Sequence, residues 1–154
     1  MVPSVHSDPS TVAGPAAGRA LSELTREECL HRLAGASFGR IAVAGSGVAP
    51  VIRPVNYRFD ERSQSVVFRT RDGSKLAALL SSAQAAFEID EIDSPPHHGW
   101  SVVVTGVTEQ ITDAGELKRL STIGELPWAD GCAGQLIRIR ARSVSGRSIG
   151  SDRA

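Results

Sequence analysis

FRTRDGSKL, residues Phe68 to Leu76, combines a strand end, a glycine turn and a helix start within one short segment. The β-forming run Ser65 to Phe68 leads into it, and Gly73 allows the chain to turn sharply. Ser74 has the side chain that most often caps a helix N-terminus, and leucines at helical spacing follow it. We therefore predict a strand–turn–helix junction here.

This junction has the composition of a phosphate-binding site. Arg69 and Lys75 supply positive charge, Thr70 and Ser74 supply hydroxyls, and a helix N-terminus adds unpaired backbone N–H groups. Basic strand–turn–helix junctions without a ligand are also common, so a purely structural role is the alternative. The context from neighbouring segments decides between the two.

The neighbouring segment PVNYRF, Pro54 to Phe59, is predicted to pair with this strand through a turn at Asp60 to Gln64. Pro54 cannot donate to a strand ladder and indicates an edge or a bulge, while the Asn56 amide both donates and accepts hydrogen bonds. A flat heteroaromatic ring would suit such an edge. The alternative is that Pro54 only interrupts the strand and Asn56 faces water.

The rest of the pattern predicts an antiparallel barrel or strongly coiled sheet. Thr25 and Glu28 have capping-box spacing and begin a helix that ends at Gly35, and Asp113 and Glu116 begin a second helix. Between and after the helices we predict strands over Phe38 to Ala44, Val48 to Phe59, Ser65 to Thr70, Ala85 to Ile92, Trp100 to Thr112 with a bend at Gly106, and Gln135 to Val144. Short helices and tight turns disfavour a parallel α/β fold.

Length and composition predict one cytoplasmic domain. The chain has 154 residues, and residues 1–20 lack an apolar period and are expected to form a disordered tail before a domain over residues 21–150. A formal net charge of zero disfavours nucleic acid as a partner, and no apolar run approaches the roughly 20 residues of a membrane span. Cys29 and Cys132 have no metal-ligand spacing and are expected to be reduced thiols.

Other chemistry-bearing groups give weaker indications. Trp100 and Ser101 place a large aromatic beside a hydroxyl, which suits either a barrel core or a cofactor contact. His97 and His98 are adjacent and have no further ligand at a suitable spacing, so we predict no metal site. The chain also has no GxSxG nucleophile elbow, which disfavours hydrolase chemistry.

Taken in order, the motifs resemble those of the pyridoxamine 5′-phosphate oxidase-like FMN-binding split-barrel family. They cover nearly everything from Glu27 to Ile149 and are ECLHRLAGASFGRIAV, PVNYRFD, VVFRTRDGSKLAAL, AFEIDEID, GWSVVVTG, PWADG and RIRARSVSGR. The resemblance implies a mainly β fold with short α-helices: a six-stranded antiparallel split β-barrel that forms a homodimer with FMN in each of two clefts between the protomers.

The resemblance also implies roles for individual residues. Arg69, Thr70, Ser74 and Lys75 would hold the FMN phosphate and ribityl chain, Pro54, Val55 and Asn56 would lie along the flavin ring, and Trp100 and Ser101 would close the site from the same or the second protomer. Two phosphate charges suit cations and helix N–H groups, and a flat ring suits a strand edge.

The resemblance implies a flavin-dependent oxidoreductase with a small-molecule electron donor or acceptor that the residues do not identify. Family members that oxidise vitamin B6 phosphates have a characteristic C-terminal segment, and SVSGRSIGSDRA does not align with it. The alternatives are a deazaflavin-dependent reductase of the same fold and a non-catalytic cofactor- or small-molecule-binding protein. We assign no catalytic residue, because the cofactor carries the redox chemistry.

Overall fold

The computed structural model describes residues 21–44, 49–71, 77–78, 80, 83–93, 98–122 and 134–150. These contain seven strands and two helices of defined extent: β1 Leu21–Glu23, α1 Arg26–Gly35, β2 Phe38–Val43, β3 Val51–Asp60, β4 Ser65–Arg71, β5 Gln84–Asp93, β6 His98–Gln110, α2 Ala114–Thr122 and β7 Gly134–Ile149. The predicted tail, the Gly45 to Gly47 turn and Cys132 lie outside the described residues.

Six of the strands close into an antiparallel barrel. The order β7–β4–β3–β2–β5–β6 is completed by pairing between β6 and β7, and β1 adds a short strand beside the end of β7. All pairings are antiparallel. The mainly β split-barrel fold expected from the sequence is therefore confirmed.

The core fills the barrel with side chains that alternate along the strands. Its largest buried members include Tyr57 and Phe87, whose rings meet edge to face at 4.6 Å between centroids. The Tyr57 hydroxyl donates to the Leu33 carbonyl at 2.7 Å, and this bond ties α1 to β3. Burial raises the pKa of the Tyr57 hydroxyl. Cys29 on the same helix is buried and unpaired, and burial raises the pKa of its thiol.

Helix α1 begins where the sequence predicts. The Thr25 hydroxyl accepts from the backbone N–H of Glu28 at 3.2 Å, and the Glu28 carboxylate accepts from the backbone N–H of Thr25 at 2.7 Å. The helix ends at Gly35, as expected. At the start of α2, Asp113 Oδ1 accepts from the backbone N–H of Glu116 at 2.8 Å, which confirms the second predicted cap.

The largest differences from the predicted strands concern β1 and β7, and smaller ones shift the ends of β3, β5 and β6 by one to three residues. Strand β1 was not predicted, and β7 runs to Ile149 rather than ending at Val144. Both additions belong to one exposed pairing, in which Leu21 lies opposite Ile149 and Glu23 opposite Arg147. The predicted bend at Gly106 is confirmed as a shift of register between Thr105 and Gly106.

Helix α2 is fixed to the barrel by ion pairs. Arg119 on α2 donates to both carboxylate oxygens of Asp60, the last residue of β3, at 2.9 and 2.8 Å. Glu116 accepts from Arg138 on β7 at 2.6 Å, and Arg138 also contacts Glu109 on β6. Burial raises the pKa of Glu109, but hydrogen bonds from Arg140 and Arg138 outweigh it, so the pKa is lowered overall.

Candidate functional site

The junction of β3 and β4 brings together two of the predicted ligand contacts. The last backbone pair between these strands is Tyr57 with Phe68, and both side chains are buried in the core. Asn56 and Arg69 are the next residue on each strand. Because side chains alternate between the faces of a strand, both point to the outer face of the barrel, on neighbouring strands.

Arg69 is positioned by strand β7. It lies opposite Leu136, is exposed, and its Nη1 donates to the Gly134 carbonyl at 3.4 Å. A Cβ at Gly134 would lie 2.3 Å from the Thr70 carbonyl oxygen and 3.2 Å from Arg69 Cγ. A residue without a side chain is therefore needed here for β7 to approach β4 so closely.

Thr70 carries an unusual buried hydroxyl. The residue is 5% exposed, and its Oγ1 has no hydrogen-bond partner among the described residues. A buried hydroxyl without a partner is unfavourable, and most buried polar groups in proteins are bonded. The hydroxyl oxygen has almost no exposed surface and lies one residue before the end of β4. Ser74 and Lys75, the other two predicted phosphate contacts, lie outside the described residues.

The predicted ring contacts occupy both faces of β3. Pro54 lies opposite Arg40 and Asn56 opposite Phe38, and these four residues share the outer face. Val55 has the opposite orientation and packs against the core. Pro54 and Asn56 thus offer side chains to an outer-face ligand, whereas Val55 offers only its backbone.

Trp100 and Ser101 lie on β6, which the sheet order separates from β3 by two strands. The indole of Trp100 faces α1: Arg32 Cζ lies 4.3 Å from its ring centroid, and its Nε1 donates to Glu91 at 3.2 Å. Ser101 has the opposite orientation and lies on the outer face. Within one chain the structure does not bring either residue beside Arg69, so their role as cofactor contacts stays a prediction that requires the second protomer.

The sequence analysis missed two apolar neighbours of the site. Phe38, opposite Asn56, is 52% exposed, and Ile52, two residues before Pro54, is 59% exposed. Together with Pro54 they form an apolar margin on the outer face of β2 and β3. The alternation of residues along β3 could have revealed this orientation from the sequence. Ile52, Pro54 and Asn56 alternate with the core residues Tyr57 and Phe59, so the apolar side chain of Ile52 had to point outward.

In the part of the chain that the structure describes, no three His, Cys, Asp or Glu side chains are placed to hold a metal ion. Over the same ranges, no helix is long and apolar enough to cross a membrane.

Comparison with known families identifies the barrel. Residues 25–148 match the pyridoxamine 5′-phosphate oxidase family. The chain belongs to this family. The match spans both helices and every strand from β2 to β6, together with nearly all of β7, so the resemblance of the motif order is confirmed.

Proteins similar to this chain come from several bacteria. The chain is 33% identical to the uncharacterized protein Rv0080 of Mycobacterium tuberculosis, over 91% of this chain and 93% of the relative. A solved FAD-binding protein from Mycobacterium smegmatis superposes with a TM-score of 0.71 at 28% identity, covering 83% of this chain and 98% of that one. An FAD-binding protein from Mesorhizobium loti superposes with a TM-score of 0.70 at 25% identity, covering 87% of this chain and 100% of that one.

Proposed function

We propose that this chain is a homodimeric, flavin-binding oxidoreductase that holds FMN at the outer-face junction of β3 and β4. Family membership and the two FAD-binding relatives support flavin as the cofactor class. The observation that carries the proposal is the state of Thr70, whose buried hydroxyl has no partner among the described residues, next to the exposed guanidinium of Arg69. Because neighbouring residues of a strand point to opposite faces, a phosphate would reach both groups only from the end of β4.

The phosphate end of the cofactor fits the charge and hydrogen-bonding capacity of β4. Arg69 directs one guanidinium nitrogen toward β7, and its other donors have no acceptor among the described residues, so they can bind a second acceptor. Hydrogen bonds from charged donors to phosphate are among the strongest in proteins. Ser74 and Lys75 are predicted to add a hydroxyl and a second cation.

The ring end of the cofactor fits β3. Pro54 leaves a backbone position without a donor, Asn56 offers an amide that can both donate and accept, and Phe38 supplies an exposed aromatic side chain beside it. When bound, a flavin supplies the hydride or electron transfer, and the protein binds and orients it. Nothing in this chemistry requires a protein acid or base, and we assign none.

The apolar margin supports the homodimer. Phe38 and Ile52 are large and exposed, and a second copy of the chain would remove them from water while closing the cleft beside Asn56. Isologous pairing is the commonest way for a protein to cover such a surface with itself. Trp100 and Ser101 of the second copy remain the predicted closing residues.

The direct test is the identity and redox behaviour of the bound molecule. Native protein is purified, its mass in solution is measured by light scattering, and the released small molecule is identified by mass spectrometry. We expect a dimer with one FMN for each chain. If the released molecule is FAD, the protein is still a flavin-binding protein and only the identity of the cofactor changes, because FAD contains the FMN unit. A deazaflavin would instead favour the alternative reductase, and colourless protein that binds none of the three would refute the proposal.

Turnover separates an oxidoreductase from a non-catalytic flavin carrier. The bound flavin is reduced with dithionite, and its reoxidation by quinones is followed by absorbance, with free reduced FMN as the reference. Reoxidation that is faster on the protein and saturates with acceptor supports an enzyme. Reoxidation no faster than that of free FMN supports a carrier.

A further inference from the structure

The two strands that separate β3 from β6 carry an ion pair on the outer face of the barrel. Arg40 on β2 lies directly opposite Pro54 on β3, and Asp90 on β5 lies directly opposite Ser101 on β6. Arg40 Nη1 donates to Asp90 Oδ1, so the pair bridges β2 and β5. It therefore lies between the strand proposed to hold the flavin ring and the strand that carries the predicted closing residues.

Arg40 and Asp90 also line a groove that contains Trp100 and Ser101. Its volume is about 730 Å³, within the range of about 300–1,000 Å³ that is typical of small-molecule sites. Since the predicted closing residues share this groove, the ion pair belongs to the same cleft as the proposed flavin site and not to a second one.

The backbone of Arg40 is fixed by the strands on both sides. Strand β2 pairs with β3 and with β5, and the next residue, Ile41, is fully buried in the core. A Cβ at Gly39 would lie 2.6 Å from the Glu88 carbonyl oxygen, so β2 approaches β5 too closely for a side chain at that position. The Arg40 side chain extends from this fixed backbone and is 48% exposed, so a ligand on the outer face can reach it.

Arg40 places a positive charge beside the proposed position of the ring. Directly opposite residues of antiparallel strands have Cβ atoms about 4.5–5.5 Å apart, so the Arg40 side chain begins next to Pro54. Among the described residues, Asp90 is the one acceptor bound to the guanidinium, and Glu88, the neighbour across β5, makes no ion pair with it. The Nε and Nη2 donors of Arg40 can therefore face a ligand.

We propose, resting on the flavin-binding function proposed above, that Arg40 contacts the flavin ring and raises its reduction potential, and that Asp90 limits this effect. A flavin ring that takes up two electrons and one proton becomes negatively charged, whereas the oxidised ring is neutral. A cation beside the ring therefore stabilises the reduced form more than the oxidised form, and charge near the ring nitrogens is one way in which proteins tune flavins. Asp90 opposes the effect because its carboxylate lies against the same guanidinium.

The reduction potential of the full-length protein loaded with FMN tests this role, because a purely structural residue would not change the potential according to the sign of its charge. The flavin is reduced slowly at neutral pH beside a reference dye of known potential, and both are followed by absorbance. Arg40→Gln should lower the potential by about 30 mV, which is a tenfold loss of preference for the reduced form in a two-electron couple. Asp90→Asn should raise it. Arg40→Lys keeps the charge and should lower it less than Arg40→Gln does.

Arg53→Gln is the matched control. It removes the same charge from an exposed residue of β3 whose side chain points away from the face that carries Pro54. The potential should not change in this variant. A decrease equal to that of Arg40→Gln would show that the potential follows net charge alone, and would overturn the proposal.

The outcomes for the wild type separate the role of Arg40 from the flavin site itself. Protein that binds FMN with the same potential in every variant would overturn the role of Arg40 and leave the flavin site in place. Wild-type protein that binds no FMN would refute both. If Arg40→Gln does not retain FMN, Asp90→Asn decides: a raised potential supports the proposal, and an unchanged or lowered one overturns it.

Discussion

Arg119 donates hydrogen bonds to both carboxylate oxygens of Asp60 and so joins α2 to the end of β3. Asp60 lies immediately before the hairpin that leads to the proposed phosphate site. The Asp60 side chain is 4% exposed and that of Arg119 22%, so the pair is shielded from solvent. Ser63 donates a third hydrogen bond to the same carboxylate. This cluster holds the hairpin that aligns Asn56 with Arg69.

Asp60→Asn is expected to destabilise the protein strongly. The substitution removes the charge that pairs with Arg119 and leaves Arg119 with Glu116, at 3.6 Å, as a remaining ionic partner, so we expect a loss of about 2 kcal/mol in the free energy of unfolding. Urea denaturation followed by circular dichroism measures it. Glu61→Gln, an exposed neighbour, is the control and should change the free energy by less than about 0.5 kcal/mol. Equal stability of the two variants would show that the pair contributes nothing.

The same carboxylate predicts a dependence of stability on acid. Hydrogen bonds from Arg119 lower the pKa of Asp60 from 3.8 to about 2, against an opposing effect of burial. Since the pKa is lower in the folded state, the stabilisation is present above about pH 4 and is lost as the pH falls toward about 2. Its size is about 2 kcal/mol. In Asp60→Asn, the decrease in the free energy of unfolding between about pH 4 and about pH 2 should be smaller by that amount.

The capping box of α1 predicts a smaller effect on stability, which can be measured separately from that of Asp60. Thr25→Ala removes the hydroxyl that accepts from the Glu28 N–H and should reduce stability by about 1 kcal/mol. Thr25→Ser keeps the hydroxyl and should recover most of that loss. Thermal unfolding of the three proteins distinguishes capping from lost methyl packing, since a serine variant as unstable as the alanine variant would exclude capping.

Gly106 is predicted to be intolerant of any side chain. A Cβ there would lie 1.9 Å from the Arg140 carbonyl oxygen across the β6–β7 pairing. Gly106→Ala should therefore cost about 2 kcal/mol or more. Gly35→Ala is the matched control, because a Cβ at Gly35 meets no atom within 4 Å. Comparable stability of both variants would mean that β7 can move away from residue 106 without a loss in the free energy of unfolding.

Much of the barrel follows from local signals in the sequence. The hydrophobic alternation of β3, the glycine at the β6 bulge and the capping pairs at Thr25 and Asp113 each act within a few residues, so a linear pattern contains them. The pairing of β1 with the end of β7 was not predictable. All three residues of β1 are exposed, and its register is set by a strand more than 100 residues away.

The candidate site was predictable only in part. The proximity of Asn56 and Arg69 follows from one tight hairpin, which the sequence indicates. The opposite orientations of Trp100 and Ser101, and the partnerless hydroxyl of Thr70, depend on which face of each strand meets the core and on contacts with distant strands.

The phosphate contact is the centre of the account, and comparing FMN with riboflavin tests it most directly. The two differ only by the phosphate. Their dissociation constants are measured by flavin fluorescence on the wild type, Arg69→Gln, Thr70→Val and the control Arg53→Gln. We predict that FMN binds more tightly than riboflavin, and that Arg69→Gln reduces this preference about tenfold while riboflavin affinity is unchanged. An unchanged preference, or equal losses for both ligands, would contradict the account.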